Sequence, residues 1–230
     1  LLSSQWMQNV VHDVDGLDEK TAQKVEFYTR QFADAISPTN FMMTNPEVLR
    51  ATIESGGENL LKGLSNLLDD LERGKGKLQI KMTDLDAFKI GENVATTEGS
   101  VIGRTQLMEL LQYKPATDKV AKRPLMIVPP WINKYYILDL RPENSFIKWA
   151  VDQGHTVFVL SWVNPDSKLA EESFEDYGRD GVLAALDMIE KATGEKEVNA
   201  IGYCLGGTLL AAMLAYMAKI GDERIKSATF

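Results

Sequence analysis

Cysteine is almost missing: Cys204 stands alone among 230 residues. One cysteine excludes an internal disulfide framework and any Cys-x-x-Cys metal or redox site, and it suits a reducing cytoplasm. Histidine is nearly as scarce, with only His12 and His155. Positive charge is in the minority: 25 Lys and Arg against 33 Asp and Glu leave a net charge of -8. General nucleic-acid binding needs clustered positive charge, so that class is disfavoured. No run of about 18 apolar residues occurs, so no transmembrane helix is expected. The opening "LLSSQWMQNVVHDVDGLDEK" carries acids where a secretory signal carries a basic region, and no initiator methionine precedes it. The closing "RIKSATF" stops inside what reads as a strand. The expectation is a fragment cut at both ends.

What is present is enough apolar residue, 44% of the chain, to bury one large core or two smaller ones. Residues 19–36 place Ala22, Val25, Phe27, Tyr28, Phe32, Ala35 and Ile36 at roughly helical spacing, closed by Ser37-Pro38. In "TNPEVLRATIESGGENLLKGLSNLLDDLERG", Asn45 is a good N-cap, Pro46 suits the first helical position and Gly74 a stop. Gly56-Gly57 should break or kink that helix. Leu60, Leu61, Leu64, Leu67, Leu68 and Leu71 form one apolar face, expected to pack in a core or against another domain. The glycine-punctuated "GKGKLQIKMTD" reads as a linker, which sets a helical N-terminal domain at 1–84 and a second domain at 85–230.

Beyond the linker the character changes. "QLMELLQYKP", "RPLMIVPP", "HTVFVLSW" and "EVNAIGY" are short apolar runs, the middle two β-branched and read as buried strands. "AEESFEDYGRDGVLAALDMIEKATG" between the last two is helical by the spacing of Phe174, Tyr177, Val182, Leu186 and Ile189. Strand, helix and strand of these lengths give an α/β fold with a parallel sheet.

The lone cysteine falls in "AIGYCLGGTLL", between the strand Val198–Gly202 and a helix that starts directly. That is the strand–turn–helix context of a nucleophile elbow, G-x-S-x-G with cysteine for serine. Gly202, Gly206 and Gly207 would let strand and helix approach without side-chain clashes. The helix N-terminus offers free N–H groups and partial positive charge, and the Leu205 N–H is placed to bind an oxyanion. A phosphate-binding loop is disfavoured, because neither GxxxxGK[ST] nor GxGxxG occurs. The competing reading is a plain buried cysteine among packing glycines. Neither histidine fits as base: His12 lies in a polar segment, and His155 precedes a strand, whereas such sites lie at strand C-terminal ends. In this fold the order is nucleophile, acid, histidine, so both partners are expected after Phe230.

Gly-Tyr-Cys-Leu-Gly-Gly resembles the dienelactone hydrolases, which carry a cysteine elbow. The stretch "PPWINKYYILDL", followed by "RPENSFIKWAVDQGHTVFVLSWVNPD", resembles the polyhydroxyalkanoate synthases, as do "NPEVLRATIESGGENLLKG", "GENVATTEGSVI" and "ELLQYKPATDKVAKRPLMIVPP". The likeness covers nearly all of residues 24–230. The long helical N-terminal region and GYCLGG are similar to class I of that family; class II enzymes usually place serine where Leu205 stands. The resemblance implies an α/β-hydrolase core, cut after the elbow, and an acyltransferase that polymerises (R)-3-hydroxyacyl-CoA, above all 3-hydroxybutyryl-CoA. It implies Cys204 as the residue that carries the growing ester, no metal, and no cofactor, since the CoA thioester is the substrate. It further implies a homodimer in the cytoplasm, at the surface of polyester granules and in reach of granule-associated proteins. This fold draws its second oxyanion N–H from the loop after its third strand, which assigns it to the backbone at Trp131-Ile132. Asn133, Lys134, Tyr135 and Tyr136 could then line the substrate entrance, Lys134 meeting phosphate, or could simply pack a loop. Asp139 and Arg141 are expected as a local ion pair, and Trp162 as core packing near the site.

Two other classes stay open. A cysteine-elbow hydrolase of the dienelactone or thioesterase kind would release free hydroxy acid. A granule-coating scaffold would use the Leu-rich helix and survive loss of Cys204.

Overall fold

The computed structural model of the chain describes residues 2–12 and 16–230, with no side chain described at 2–4, 8 or 12. The chain divides into two compact units, Leu1–Asp84 and Leu85–Phe230.

The first unit is helical: α1 (Leu2–His12), α2 (Glu19–Ala35), α3 (Pro46–Glu54) and α4 (Glu58–Arg73). Local chemistry sets the boundaries. Asp18 caps α2 by accepting from the Thr21 N–H, and Asn45 caps α3 by accepting from the N–H groups of Glu47 and Val48. Gly57 sits at φ 93°, a left-handed conformation that a residue with a Cβ resists, and it separates α3 from α4. Residues 75–84 turn back on α4, where the Asp70 carboxylate accepts from the Lys81 N–H at 3.1 Å and Arg73 donates to the Gln79 carbonyl at 2.9 Å. The leucine face differs from expectation. Leu60, Leu61, Leu64, Leu67 and Leu68 are all exposed, and Ala33 is the one buried apolar side chain of this unit among the described residues.

The second unit is built on a six-stranded sheet in the order β1–β2–β6–β3–β7–β8. Its strands are β1 (Gly99–Arg104), β2 (Met108–Tyr113), β3 (Leu125–Val128), β6 (Val157–Trp162), β7 (Val198–Gly202) and β8 (Ile225–Thr229). A separate short pair, β4 (Asp139–Arg141) and β5 (Asn144–Ser145), lies between β3 and β6 in the chain. β1, β2 and β6 are antiparallel in turn, whereas β6, β3, β7 and β8 run parallel. The helices are α5 (Phe146–Asp152), a run made of α6 (Phe174–Asp176), a π-helical turn (Tyr177–Leu183) and α7 (Ala184–Thr193), and finally α8 (Leu205–Ile220).

Strand alternation divides the core between two faces. Met126, Val128, Phe158, Leu160, Val198 and Ala200 pack with Val182, Leu186 and Ile189 of the π-turn–α7 run and with Leu209 and Leu210 of α8. Leu125, Ile127, Val157 and Val159 point the other way, onto Ile147, Ala150 and Val151 of α5. β3 is therefore buried on every residue, as a strand covered on both faces must be. The chain leaves β3 toward the α5 face and leaves β7 toward the opposite face. Their C-terminal ends lie side by side at the switch in chain direction, the place where open α/β sheets hold ligands.

Candidate active site

Cys204 stands at that switch point. It follows β7 and immediately precedes α8, with φ 56° and ψ -123°, a backbone conformation that a residue with a Cβ enters at a cost of about 1–3 kcal/mol. The thiol is exposed. Neighbouring backbone holds the strain in place. The Tyr203 N–H donates to the Val128 carbonyl at 3.1 Å, tying the elbow to the end of β3. The Cys204 carbonyl accepts from the Gly207 N–H at 2.9 Å and the Thr208 N–H at 3.3 Å, starting the helix. Leu205 is the first helical residue, so its N–H has no acceptor one turn back and points out of the helix start.

The three glycines are where the chain can afford no side chain. A Cβ on Gly202 would stand 2.5 Å from Gly207 Cα, and one on Gly207 2.9 Å from the Gly202 carbonyl oxygen. A Cβ on Gly206 would stand 2.8 Å from the carbonyl carbon of Pro129 and closer still to the Val128 carbonyl. Strand, helix and the loop after β3 are thus in backbone contact around one thiol.

That loop is Pro129-Pro130-Trp131-Ile132-Asn133. It turns tightly, the Asn133 N–H donating to the Pro130 carbonyl at 3.2 Å, and Ile132 at its tip is 69% exposed. Val128 pairs in register with Gly202, so the loop and the elbow leave the same edge side by side. Asn133 is exposed. Lys134 is exposed too, and its ammonium donates to the Asn164 side-chain oxygen, beyond the end of β6. Tyr135 and Tyr136 meet edge to face at 5.3 Å. Tyr135 packs onto the α5-side core, and burial, followed by the nearby Asp139 carboxylate, raises its hydroxyl above the usual phenol range.

Asp139 and Arg141 do not pair. Asp139 is wholly buried and accepts from the Thr97 N–H at 3.2 Å, the Thr97 hydroxyl at 2.7 Å and the Ser145 hydroxyl at 2.6 Å, while Arg141 is exposed with no ion pair among the described residues. The carboxylate is a structural clasp, with Ser145 also capping α5 through the Lys148 N–H. His155 lies two residues before β6, at the edge opposite Cys204, with its Nδ1 buried and without a hydrogen-bond partner among the described residues. His12 closes α1, and its side chain lies outside the described residues. No group of three or more His, Cys, Asp or Glu among the described residues is placed to hold a metal, and none of the described helices is long and apolar enough to cross a membrane.

The sequence undervalued one cluster. Trp162 is 8% exposed, and its indole N–H donates to the Pro129 carbonyl at 2.7 Å. Tyr177 lies 5.3 Å from the Trp162 ring and 5.4 Å from that of Trp131, which also meets Phe174 at 6.1 Å. Gly178 and Gly181, two glycines inside an otherwise helical run, were the available signal of close approach.

The chain is similar in sequence to known proteins. Residues 1–150 match the family described as poly-beta-hydroxybutyrate polymerase (PhaC) N-terminus, and residues 123–230 match the alpha/beta hydrolase fold. The poly(3-hydroxyalkanoate) polymerase subunit PhaC of Rhizobium meliloti (strain 1021) is 57% identical over 228 residues, which is 99% of this chain and 37% of that protein. The subunit of the same name from Cupriavidus necator is 45% identical over 229 residues, 100% of this chain and 38% of the relative. The chain therefore spans little more than a third of these relatives. Among solved structures, an epoxide hydrolase from Vigna radiata aligns with a TM-score of 0.41 at 12% identity, over 57% of this chain and 37% of that one.

Proposed function

Because the chain belongs to the poly-beta-hydroxybutyrate polymerase family, we propose that the protein it forms part of is a polyester synthase that joins (R)-3-hydroxyacyl units, supplied as CoA thioesters, through an acyl thioester of Cys204. The observation that carries this reading is the exposed thiol at φ 56°, held between β7, α8 and the loop after β3.

The chemistry follows from those parts. The Cys204 sulfur attacks the thioester carbonyl of 3-hydroxybutyryl-CoA, and the carbonyl oxygen takes up negative charge. The backbone N–H groups of Leu205 and Ile132 receive that charge; a donor of this kind is worth about a hundredfold or more in kcat. The carbon–sulfur bond to CoA breaks, and CoA leaves as a thiol once protonated. The acyl group now rides on Cys204 as a new thioester. The 3-hydroxyl of the next unit or chain end attacks it, a base takes the hydroxyl proton, and an ester forms as the cysteine sulfur leaves. Dividing one transfer into a thiol–thioester exchange and then an alcoholysis replaces one high barrier with two lower ones. The incoming thioester supplies the driving force, so no cofactor enters. His155 stands at the wrong edge to be the base. The fold order of nucleophile, acid and histidine puts both partners in the length of the relatives that this chain does not span.

Water must be kept from the acyl-cysteine if polymer is to form, and the family of the chain favours a synthase over a hydrolase. Asn133, Lys134, Tyr135 and Tyr136 leave the same edge and serve as the substrate entrance. Residues 1–84 act as a helical domain whose exposed leucines on α4 suit the surface of a polyester granule in the cytoplasm, where granule-associated proteins are within reach. The homodimer enters with the family.

The test is the product made by the full-length protein from (R)-3-hydroxybutyryl-CoA. Polymer with stoichiometric CoA release is expected, and Cys204→Ala should abolish both. Free 3-hydroxybutyrate without polymer would instead identify a hydrolase. CoA release surviving in Cys204→Ala would remove the cysteine from the mechanism.

A further inference from the structure

We infer that Trp162 is a positioning residue for acyl transfer: its indole N–H fixes the Pro129–Ile132 loop, and with it the second oxyanion donor, without touching the substrate. The inference rests on the reading of Cys204 and Ile132 given above.

Three successive carbonyls at the root of the loop are each held by a different donor. Val128 accepts from the Tyr203 N–H of the elbow, Pro129 from the Trp162 indole, and Pro130 from the Asn133 N–H of its own turn. The first bond is set by the sheet and the third by the turn. Only the second comes from a side chain. Pro129 and Pro130 have no N–H of their own, so the root of the loop cannot anchor itself to a neighbouring strand by backbone donation. The indole bond therefore ties the root of the turn to the end of β6, ahead of the Lys134–Asn164 bond that holds its far side and beside the packing of Trp131 on Tyr177 and Phe174.

Trp162 is itself held to one position. The π-helical turn Tyr177–Leu183 sets Tyr177 against one part of the indole and Gly181 against another. A Cβ on Gly181 would stand 2.7 Å from a ring carbon of Trp162, or nearer, so the helix has no side chain where the ring lies. Tyr177 meanwhile touches Trp131, one residue before Ile132. Pure core packing needs only a large apolar ring at 162. A buried N–H donor aimed at the Pro129 carbonyl, which accepts from no backbone N–H among the described residues, is the feature packing does not require.

The test uses the full-length protein with Trp162→Phe, which keeps an aromatic ring and removes the donor, and Gly181→Ala, which pushes the ring from behind and leaves the donor in place. Four quantities are read: kcat and KM for 3-hydroxybutyryl-CoA, the rate at which iodoacetamide alkylates Cys204, and the melting temperature. Alkylation needs an accessible sulfur but no oxyanion hole. Loop displacement of about 1 Å costs up to about a hundredfold in rate. Both variants should therefore lose about tenfold to a hundredfold in kcat, with KM within about twofold and alkylation at the wild-type rate. A Trp162→Phe enzyme with wild-type kcat would overturn the inference. So would a parallel fall of kcat and alkylation, which would mean that the elbow itself had been disturbed. Wild-type turnover that survives complete alkylation of Cys204 would overturn the nucleophile reading instead, and it is scored before the variants are compared.

Discussion

Gly202→Ala is the sharpest perturbation of the elbow, because its Cβ would meet only backbone. It would stand 2.5 Å from Gly207 Cα, 3.0 Å from the Gly207 nitrogen and 3.1 Å from the Gly206 carbonyl oxygen. Carbon atoms settle at about 3.5 Å or more, so the start of α8 would have to move by about 1 Å from the end of β7. No flexible side chain is present to absorb the shift. Overpacking of this kind typically costs about 1–3 kcal/mol, and contact against backbone puts this case at about 3. For a domain near this size that lowers the melting temperature by roughly 10 °C. The functional loss should be larger than the stability loss suggests, because the first helical turn carries the Leu205 N–H. A misplacement of about 1 Å there costs about a hundredfold in kcat. The assay is CoA release by the full-length protein, together with calorimetry. Gly63→Ala is the control: nothing lies within 4 Å of its Cβ position in α4, and adding the methyl should stabilise that helix by about 1 kcal/mol. A Gly202→Ala protein with wild-type melting and wild-type turnover would refute the account of the elbow.

Cys204→Gly should melt above Cys204→Ala, by about 1–2 kcal/mol in stability, because glycine alone relaxes at φ 56°; equal melting would mean the turn stores no strain. Asp139→Ala should cost about 3 kcal/mol in denaturant unfolding by stranding the Thr97 and Ser145 donors, and a neutral result would mean water replaces the carboxylate freely. Asp222 should show its effect through pH. Arg224, bonded to it at 2.7–3.1 Å, holds its carboxyl below the usual range. The stabilisation is present above the ordinary aspartate value of about 3.9 and is lost as pH falls through the lower folded value. Asp222→Asn should thus cost about 1 kcal/mol at neutral pH and nothing in strong acid; a difference independent of pH would contradict the pairing.

Much of the fold was legible because its causes are local. Asn45, Pro46 and Gly57 set the bounds of α3 and the start of α4 within a few residues of themselves; β3 and β6 announce themselves as short apolar runs buried on both faces, and β7 as a short run buried at alternate residues. β1 was not foreseen. It pairs only with β2 and is exposed over nearly its whole length, so burial imposes no alternation on its sequence. Asp139 was misjudged for the opposite reason. Its neighbour Arg141 was visible, whereas its true partner Thr97 is 42 residues away. The elbow stood out because steric exclusion leaves glycine as its mark. The bond from Trp162 to Pro129 spans 33 residues and ends on a carbonyl, a group every residue carries, so no sequence pattern records it. The leucine face of α4 gave the right periodicity and the wrong environment, since spacing reports which side is apolar and not what covers it.

The most direct test of the central claim is to capture the acyl-enzyme. Full-length protein is mixed with (R)-3-hydroxybutyryl-CoA, quenched in acid within the first turnovers and digested, and the peptides are weighed. The account predicts a 3-hydroxybutyryl adduct, or a short oligomer of it, on the peptide that contains Cys204, removable by hydroxylamine as a thioester should be and absent from Cys204→Ala. An active enzyme whose adduct lies on another residue, or that forms polymer with no adduct on Cys204, would contradict it.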